Sequence, residues 1–454
     1  MRPATPPPPA RQGFFEKWIH PAGGWMEEWD PENGVDWEHG GRKIAQHTLA
    51  ITTANLMMGF AVWFVVSAIV VRLDKVGFDL STTQLFWLAA MPGLAGGTFR
   101  IIHTFLVPLY GTRRVVSLGT ASLLLPLVGW FFAVQIPSTP YWVLLLLAFL
   151  AGLGGGNFSS FMPSTSLFFP KRLQGTALGV QAGIGNFGVS LVQFLTPWVI
   201  GFALVGSAET ADSGDEIWLQ NAVLIWIPPV AFLALVAWLR LRSVPVRANV
   251  REQFDIFHEK HTWLMTSLYV MTFGSFSGFA ATFPLMIKEV YGGFDDAPDP
   301  LSYAFLGPLV GSISRVAAGP LSDRFGGGRL TQISGIGLVL SAIAASFFVR
   351  PVSESEFKWF VLSMLCVFLF AGIGNASTFK QIPMIFPPRQ AGGVIGWTAA
   401  IAAYGPFVFS VTIAAVIAAT GSPTAFFLGA AAFYVVNVAI NWWYYVRPGA
   451  ERPC

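Results

Sequence analysis

Past a polar stretch that ends at Arg42 and Lys43, long apolar runs alternate with short polar breaks as far as residue 446. The runs number twelve, near 45–72, 82–110, 114–136, 140–168, 174–206, 218–240, 262–289, 301–322, 328–350, 357–386, 391–419 and 423–446. At about 1.5 Å of rise per residue, each is long enough as a helix to cross a hydrocarbon core about 30 Å thick. The fifth, tenth and eleventh have length to spare, which predicts tilt or a kink. The pattern therefore predicts an all-α membrane protein with twelve transmembrane helices.

Charge adds orientation. One set of polar breaks holds Arg42 and Lys43, Arg113 and Arg114, Lys171 and Arg172, Arg240 through Lys260, Arg324 and Arg329, Arg389, and Arg447 with Arg452. The opposite set holds Arg72, Lys75, Lys288, Arg350 and Lys358, beside acid-rich segments such as SAETADSGDE. Basic residues stay on the cytoplasmic side, so a multi-pass protein of the cytoplasmic (inner) membrane with both termini cytoplasmic is expected. The expected division is a cytoplasmic N-terminal segment 1–43, a six-helix bundle 44–242, a cytoplasmic loop 243–261, a second six-helix bundle 262–446 and a cytoplasmic tail 447–454. Only 11% of residues are charged, against about 25% in soluble domains, which excludes a soluble class. Cys366 and Cys454 give neither a disulfide framework nor a metal-site spacing, so no metal or cofactor is expected. The first forty residues lack a signal-peptide core, and the first helix is expected to act as its own signal. Before it, Pro6 to Pro9 read as an extended run, while Trp25, Trp29 and Trp37 suit either the membrane interface or an ordered collar on the first helix.

Inside the second run, GLAGGTFRIIHTFLVPLYGTRR (Gly93 to Arg114), Arg100 lies roughly 20 Å from the charged end, near the bilayer centre. An arginine there costs on the order of 3 kcal/mol and is a functional-site candidate by default. The pattern recurs in GPLVGSISRVAAGPLSDRFGGGR, Gly307 to Arg329, around Arg315. From Arg100 to Gly111 and from Arg315 to Gly326 is eleven residues each time. Neither arginine has an Asp or Glu within the twelve runs to pair with; Glu289 sits only at the end of the seventh. Two such guanidinium groups need a mobile anion or several carbonyl and hydroxyl acceptors. Their parallel N–H donors match a planar oxyanion such as carboxylate, nitrate or nitrite.

Other polar groups fall in the same runs. His103, three residues after Arg100 and on its face, reads either as a neutral hydrogen-bonder or as a proton carrier. Lys380, near the cytoplasmic end of the tenth run, either snorkels to the surface or serves as a basic entry residue. Gly179, Gly183, Gly185 and Gly188 suit close helix packing, which leaves the amides of Gln181, Asn186 and Gln193 to explain. Asn157 and Asn375 sit in two similar Gly-rich segments, LAGLGGGNFSSF and FAGIGNASTF, each followed by Phe-Pro. Amides donate to oxyanions without adding charge. Tyr269 and Phe273, four residues apart, and Phe158, next to Asn157, could wall a small planar ion.

Repeated halves of this kind resemble the major facilitator superfamily, whose substrates sit near the midplane between two pseudo-symmetric bundles. GPLSDRFGGGR resembles that superfamily's cytoplasmic loop motif, with Asp323 and Arg324 in place; the first-half copy, PLYGTRR, lacks the acid. The segments AGLGGGNFSSFMPSTSLFFPKRLQGTALGVQAGIGNFGVSLVQF and FAGIGNASTFKQIPMIFP, with the two arginine segments and WDPENGVDWEHGGRKIA, resemble the nitrate/nitrite porter family (NarK type) over nearly the whole chain. The resemblance implies that Arg100 and Arg315 grip nitrate, with Tyr269, Phe158, Phe273 and Asn186 completing the substrate site. His103, Gln181, Asn157, Asn375 and Lys380 remain candidates for coupling or gating. The chain departs from a close relative at His103, Gln181 and Lys380, where tyrosine, asparagine and glutamine stand.

The implied activity is exchange of nitrate for nitrite by alternating access, in nitrate assimilation or anaerobic nitrate respiration, with nitrate–proton symport as the alternative. Without an anion, two like charges face each other in a low-dielectric cavity and closure is disfavoured. A bound monoanion offsets that repulsion and lets the halves rock. No haem, metal or nucleotide pattern is present, so an enzyme is not expected. The expected partners are the two anions and membrane lipid, with no nucleic acid, and the chain is expected to be monomeric.

Overall fold

The computed structural model describes residues 24–26, 29–210, 216–244 and 255–454. The proline run 6–9, and residues 245–254 of the linking loop, lie outside the described residues. The described chain is almost entirely helical, and twelve of its helices are long and apolar enough to cross a membrane. In the first half they are α1 (Trp37–Ile69), α2 (Thr82–His103), α3 (Leu106–Ala133), α4 (Tyr141–Ser166), α5 (Lys171–Val199) and α6 (Asn221–Arg240). In the second half they are α7 (Lys260–Tyr291), α8 (Pro300–Phe325), α9 (Gly327–Phe347), α10 (Glu354–Ile385), α11 (Gln390–Thr420) and α12 (Thr424–Val446). A two-residue antiparallel pair, Glu209–Thr210 with Glu216–Ile217, lies between α5 and α6.

Leu118, Leu125 and Phe132 on α3, Leu340 and Phe347 on α9 and Val435 on α12 are all exposed. Apolar side chains arranged this way are at ease only where the surrounding solvent is lipid.

The helices depart most from the sequence expectation at the start of α1 (Trp37, not near 45), at the end of α5 (Val199, not near 206) and at the junction of α2 and α3. The second run, 82–110, breaks after His103: the Thr104 N–H and hydroxyl both donate to the Arg100 carbonyl, at 3.0 and 2.8 Å, the Phe105 N–H turns to the Ile102 carbonyl at 3.1 Å, and helix resumes at Leu106. Within α3, Gly111 is the non-helical residue, at φ 77° and ψ 158°. Gly326, between α8 and α9, has φ 90° and ψ 142°. Both conformations are open essentially to glycine alone. The eleven-residue spacing from each arginine thus ends in the same backbone geometry twice.

Both described ends of the chain lie on one face, called here the terminal face. The Met26 N–H donates to the Ser243 carbonyl at 2.9 Å, and the Trp29 indole donates to the Leu167 carbonyl at 2.9 Å. Trp29 and Trp37 pack on Phe168 and Phe169 at 5.5 and 6.0 Å, so these two tryptophans form a collar over the α4–α5 connection. At the other end the Arg452 guanidinium donates to the Ile385 carbonyl, and Glu451 pairs with Lys260 at 2.6 Å.

The two bundles meet mainly along α2 against α11 and α5 against α8. Gly93 lies against the Phe407 backbone and Gly97 against the Tyr404 ring, contacts too close for a Cβ. On the distal face several polar contacts cross between bundles. Arg72 pairs with Asp299, Lys288 with Asp74 at 2.7 Å, and the Thr82 hydroxyl donates to Glu289 at 2.9 Å. Nearby, Ser190 donates to the Phe305 carbonyl and Gln193 to the Ala280 carbonyl, both at 2.8 Å. Toward the terminal face α5 and α8 part. A Cβ at Gly183 would collide with Val316, whereas a Cβ at Gly179 or Gly175, one and two turns on, or at Gly319 would meet no neighbouring element within 4 Å.

Candidate functional site

Arg100 on α2 is completely buried. Its Nε–H donates to the Gly155 carbonyl of α4 at 2.9 Å and its Nη1 to the Ala399 carbonyl of α11 at 2.7 Å. Nη2, equally buried, has no partner. The guanidinium carbon sits 4.5 Å from the Phe158 ring centre, 5.1 Å from Phe273 and 5.2 Å from Trp63. Trp63 reaches that place because Gly96 and Gly155 leave room for its indole, and its N–H donates to the Pro92 carbonyl at 2.8 Å.

Arg315 on α8 is 4% exposed, and its Nη1 also lacks a partner. It lies 5.7 Å from the Phe379 ring and 6.0 Å from Phe273, beside the Tyr269 hydroxyl but without a well-formed hydrogen bond to it. One ring, Phe273, is therefore within reach of both guanidinium groups. Tyr269 stacks on Phe379 at 4.4 Å and on Phe273 at 5.4 Å, with interplanar angles of 13° and 6°. Phe158 approaches Phe273 and Phe379 at 6.4 Å each. A π-helical turn, Val270–Gly274, carries Phe273 within α7; such single turns concentrate at functional sites.

Aromatic faces attract guanidinium groups by about 0.5–2 kcal/mol each, yet they accept no full hydrogen bond. Among the described residues no carboxylate pairs with either arginine. The site thus holds two buried positive groups with N–H donors to spare, which suits a small flat anion. Among the described residues no group of three His, Cys, Asp or Glu side chains is placed to hold a metal ion.

A family model of the Major Facilitator Superfamily matches residues 51–353. The chain is 65% identical to a probable nitrate/nitrite antiporter, NarK2, of Thermus thermophilus, over 95% of this chain and 99% of that protein. It is 37% identical to the nitrate/nitrite transporter NarU of Salmonella typhimurium, over 93% and 96%. The chain belongs to the nitrate/nitrite porter family of the major facilitator superfamily. It is a membrane transporter rather than an enzyme. Among solved structures, the inward open xylose transporter XylE from E. coli has a TM-score of 0.64 at 15% identity, covering 88% of this chain and 96% of that one, a likeness of fold alone.

The candidates singled out in the sequence of this porter divide in the structure. Arg100, Arg315, Tyr269, Phe158 and Phe273 converge on one aromatic cluster. Asn186 on α5 and Asn375 on α10 are fully buried with both amide atoms unpartnered. Asn157 donates to the Gly119 carbonyl at 3.2 Å, and Gln181 donates to the Phe161 carbonyl at 3.1 Å, tying helices within the first bundle. His103 shares a 2.9 Å hydrogen bond with Ser160 of α4. Lys380 pairs with Asp323, so the tenth-helix lysine is held by the acid of the loop motif. Sequence reasoning missed Phe379, which abuts Lys380 in the second Gly-rich segment, and Trp63, which carries no motif signal.

Proposed function

We propose that this chain is a nitrate/nitrite antiporter of the cytoplasmic membrane, importing nitrate in exchange for nitrite, with the terminal face in the cytoplasm. The observation that carries the reading is the pair of buried guanidinium groups, with no carboxylate partner among the described residues and with unpartnered N–H donors, that share one aromatic ring, Phe273. A monoanion between them accepts those donors and offsets a repulsion that low-dielectric surroundings magnify. Arg100 also donates to the Ala399 carbonyl of α11, so the donors that would meet the anion sit at a contact between the two bundles. Bundles 44–242 and 262–446 rock about the site, and only the loaded carrier crosses. One-for-one exchange moves no net charge. Tyr269, Phe158, Phe273 and Asn186 complete the cage, while the Ser160 bond supports a positioning role for His103.

The test is nitrate binding to purified protein, followed by the heat of binding. Wild-type protein should bind nitrate and nitrite competitively, and Arg315→Lys should lose at least one charge-assisted hydrogen bond, about 1.5–3 kcal/mol or roughly tenfold to a hundredfold in affinity. Undiminished binding in that variant would remove the clamp from the account.

A further inference from the structure

Arg100 is gripped from both bundles. The Ala399 carbonyl and the Phe273 ring belong to the second bundle, while the Gly155 carbonyl and the Phe158 and Trp63 rings belong to the first, as Arg100 itself does. When the halves rock, only the first-bundle groups keep their places against the guanidinium. Of the two rings among them, Phe158 also faces the shared aromatic cluster, 6.4 Å from both Phe273 and Phe379. Trp63 approaches Arg100 from α1, and its own ring neighbours are Phe60 and Phe64 of the same helix, at 5.4 and 4.8 Å. The indole is 1% exposed.

Three helices hold that indole still. Its N–H donates to the Pro92 carbonyl of α2 at 2.8 Å, which ties the ring to the helix that carries Arg100. Tryptophan has no second donor, so nothing on Trp63 is left for a substrate to bind. Two glycines admit the ring. A Cβ at Gly96 would lie 2.8 Å from the indole nitrogen, and one at Gly155 would lie 2.6 Å from Cε2. Gly59, one turn before Trp63, lets α1 close on α4, where a Cβ at Gly154 would meet the Gly59 carbonyl oxygen at 2.1 Å. Gly155 therefore acts twice: its carbonyl accepts from the Arg100 Nε–H, and its missing side chain seats the ring beside the same guanidinium. A buried N–H without a partner is costly, so a guanidinium free to turn would carry Nη2 to any acceptor within reach. The ring on one side and the carbonyl on the other prevent that turn and keep Nη2 unspent.

We propose that Trp63 is a positioning residue, which holds the Arg100 fork in its anion-binding orientation in whichever direction the carrier faces. The inference rests on the arginine clamp proposed above, and Trp63 acts on the anion through Arg100 alone. Without the indole, the arginine has to be ordered when the anion binds. Ordering one such side chain lowers affinity about twofold to tenfold.

The experiment measures nitrate affinity by calorimetry on the purified full chain, with Trp63→Leu made alone and in Arg100→Lys and Arg315→Lys backgrounds. Alone, Trp63→Leu should weaken binding about twofold to tenfold. The loss should persist in the Arg315→Lys background and vanish in the Arg100→Lys background, where no planar fork remains to be aimed. Trp63→Phe keeps a ring face for the cation and should recover most of the affinity. A tryptophan that served packing alone would cost the same in both backgrounds. That result, unchanged binding in Trp63→Leu, or a Trp63→Phe variant no better than Trp63→Leu would overturn the proposal. Where Trp63→Leu does not fold, Gly96→Ala takes its place in the same comparison, because its Cβ displaces the indole. Wild-type protein that binds no nitrate would overturn the clamp itself, and this role with it.

Discussion

Breaking the distal latch between Arg72 and Asp299 should shift the carrier toward a state open on that face. The pair joins the end of α1 to the start of α8, hence one bundle to the other. Asp299→Asn is a clean perturbation. Asp299 also caps α8, accepting from the Leu301 N–H at 2.8 Å and from the Ser302 N–H at 3.3 Å, and asparagine caps a helix equally well. The substitution therefore removes the charge and keeps the fold. Removing one partner of a fully buried pair costs about 3–5 kcal/mol. Here the Arg72 side chain is 7% exposed but that of Asp299 is 38% exposed, and water replaces part of the lost interaction. About 1–2 kcal/mol remains, a factor of roughly 5 to 30 in the ratio of closed to open distal face. Spin labels at Asp79→Cys and Asp296→Cys, both exposed distal positions, read that ratio by pulsed electron resonance once Cys366 and Cys454 are serine. Asp299→Asn should add a longer-distance population absent from the parent. An unchanged distribution would refute the latch.

The same pair sets a pH dependence. Burial pushes the Asp299 carboxyl up, but the Arg72 charge and hydrogen bond, with the two backbone donors, outweigh it and hold the group below its usual range. A depressed value in the latched state means that the latch contributes fully above the ordinary carboxylate range and weakens as pH falls through the depressed value. The distance distribution should be flat between about pH 5 and 8 and should broaden only below about pH 4. Arg100→Lys keeps the charge but cannot span Gly155, Ala399 and an anion with one planar fork, so exchange should fall roughly tenfold to a hundredfold; near-normal flux in vesicles would contradict the clamp. His103→Phe should leave exchange within about threefold of wild type, because its contact is to Ser160 inside one bundle, whereas collapse of proton-linked uptake would assign it a relay. Gly111→Ala should destabilise by at least about 1–3 kcal/mol, since strain at φ 77° is joined by a Cβ 2.5 Å from the Ser243 hydroxyl. Gly326→Ala, where the nearest contact is 3.4 Å, should cost strain alone; equal melting losses in the two variants would remove the steric part.

The spans were legible because a bilayer demands continuous apolar runs and loops must carry the charge. The two arginines were legible for the converse reason: a charge at midplane is costly enough to stand out from the sequence. Their equivalence survived down to the dihedrals of Gly111 and Gly326. What a guanidinium bonds to was not legible, since the carbonyls of Gly155 and Ala399 leave no mark in side-chain identity. Phe379 and Trp63 were hidden among 41 phenylalanines and 17 tryptophans, most of which serve packing or lipid contact. The break at Thr104 and the π turn at 270–274 are local choices between hydrogen-bond partners, below the resolution of a hydrophobic pattern. Asn157 and Asn375 looked equivalent by motif. Counted from the shared Ala-Gly pair, however, Asn157 aligns with Ser377, and the structure gives Asn157 a packing bond that Asn375 lacks.

The central claim is that only an anion-neutralised arginine pair lets the bundles exchange faces. Nitrate uptake into proteoliposomes of the purified protein, with and without nitrite inside and with internal pH recorded, tests it most directly. The account predicts uptake that requires internal nitrite or nitrate and leaves pH unchanged. Uptake into empty vesicles with acidification of the interior would contradict obligatory exchange and make the protein a proton symporter.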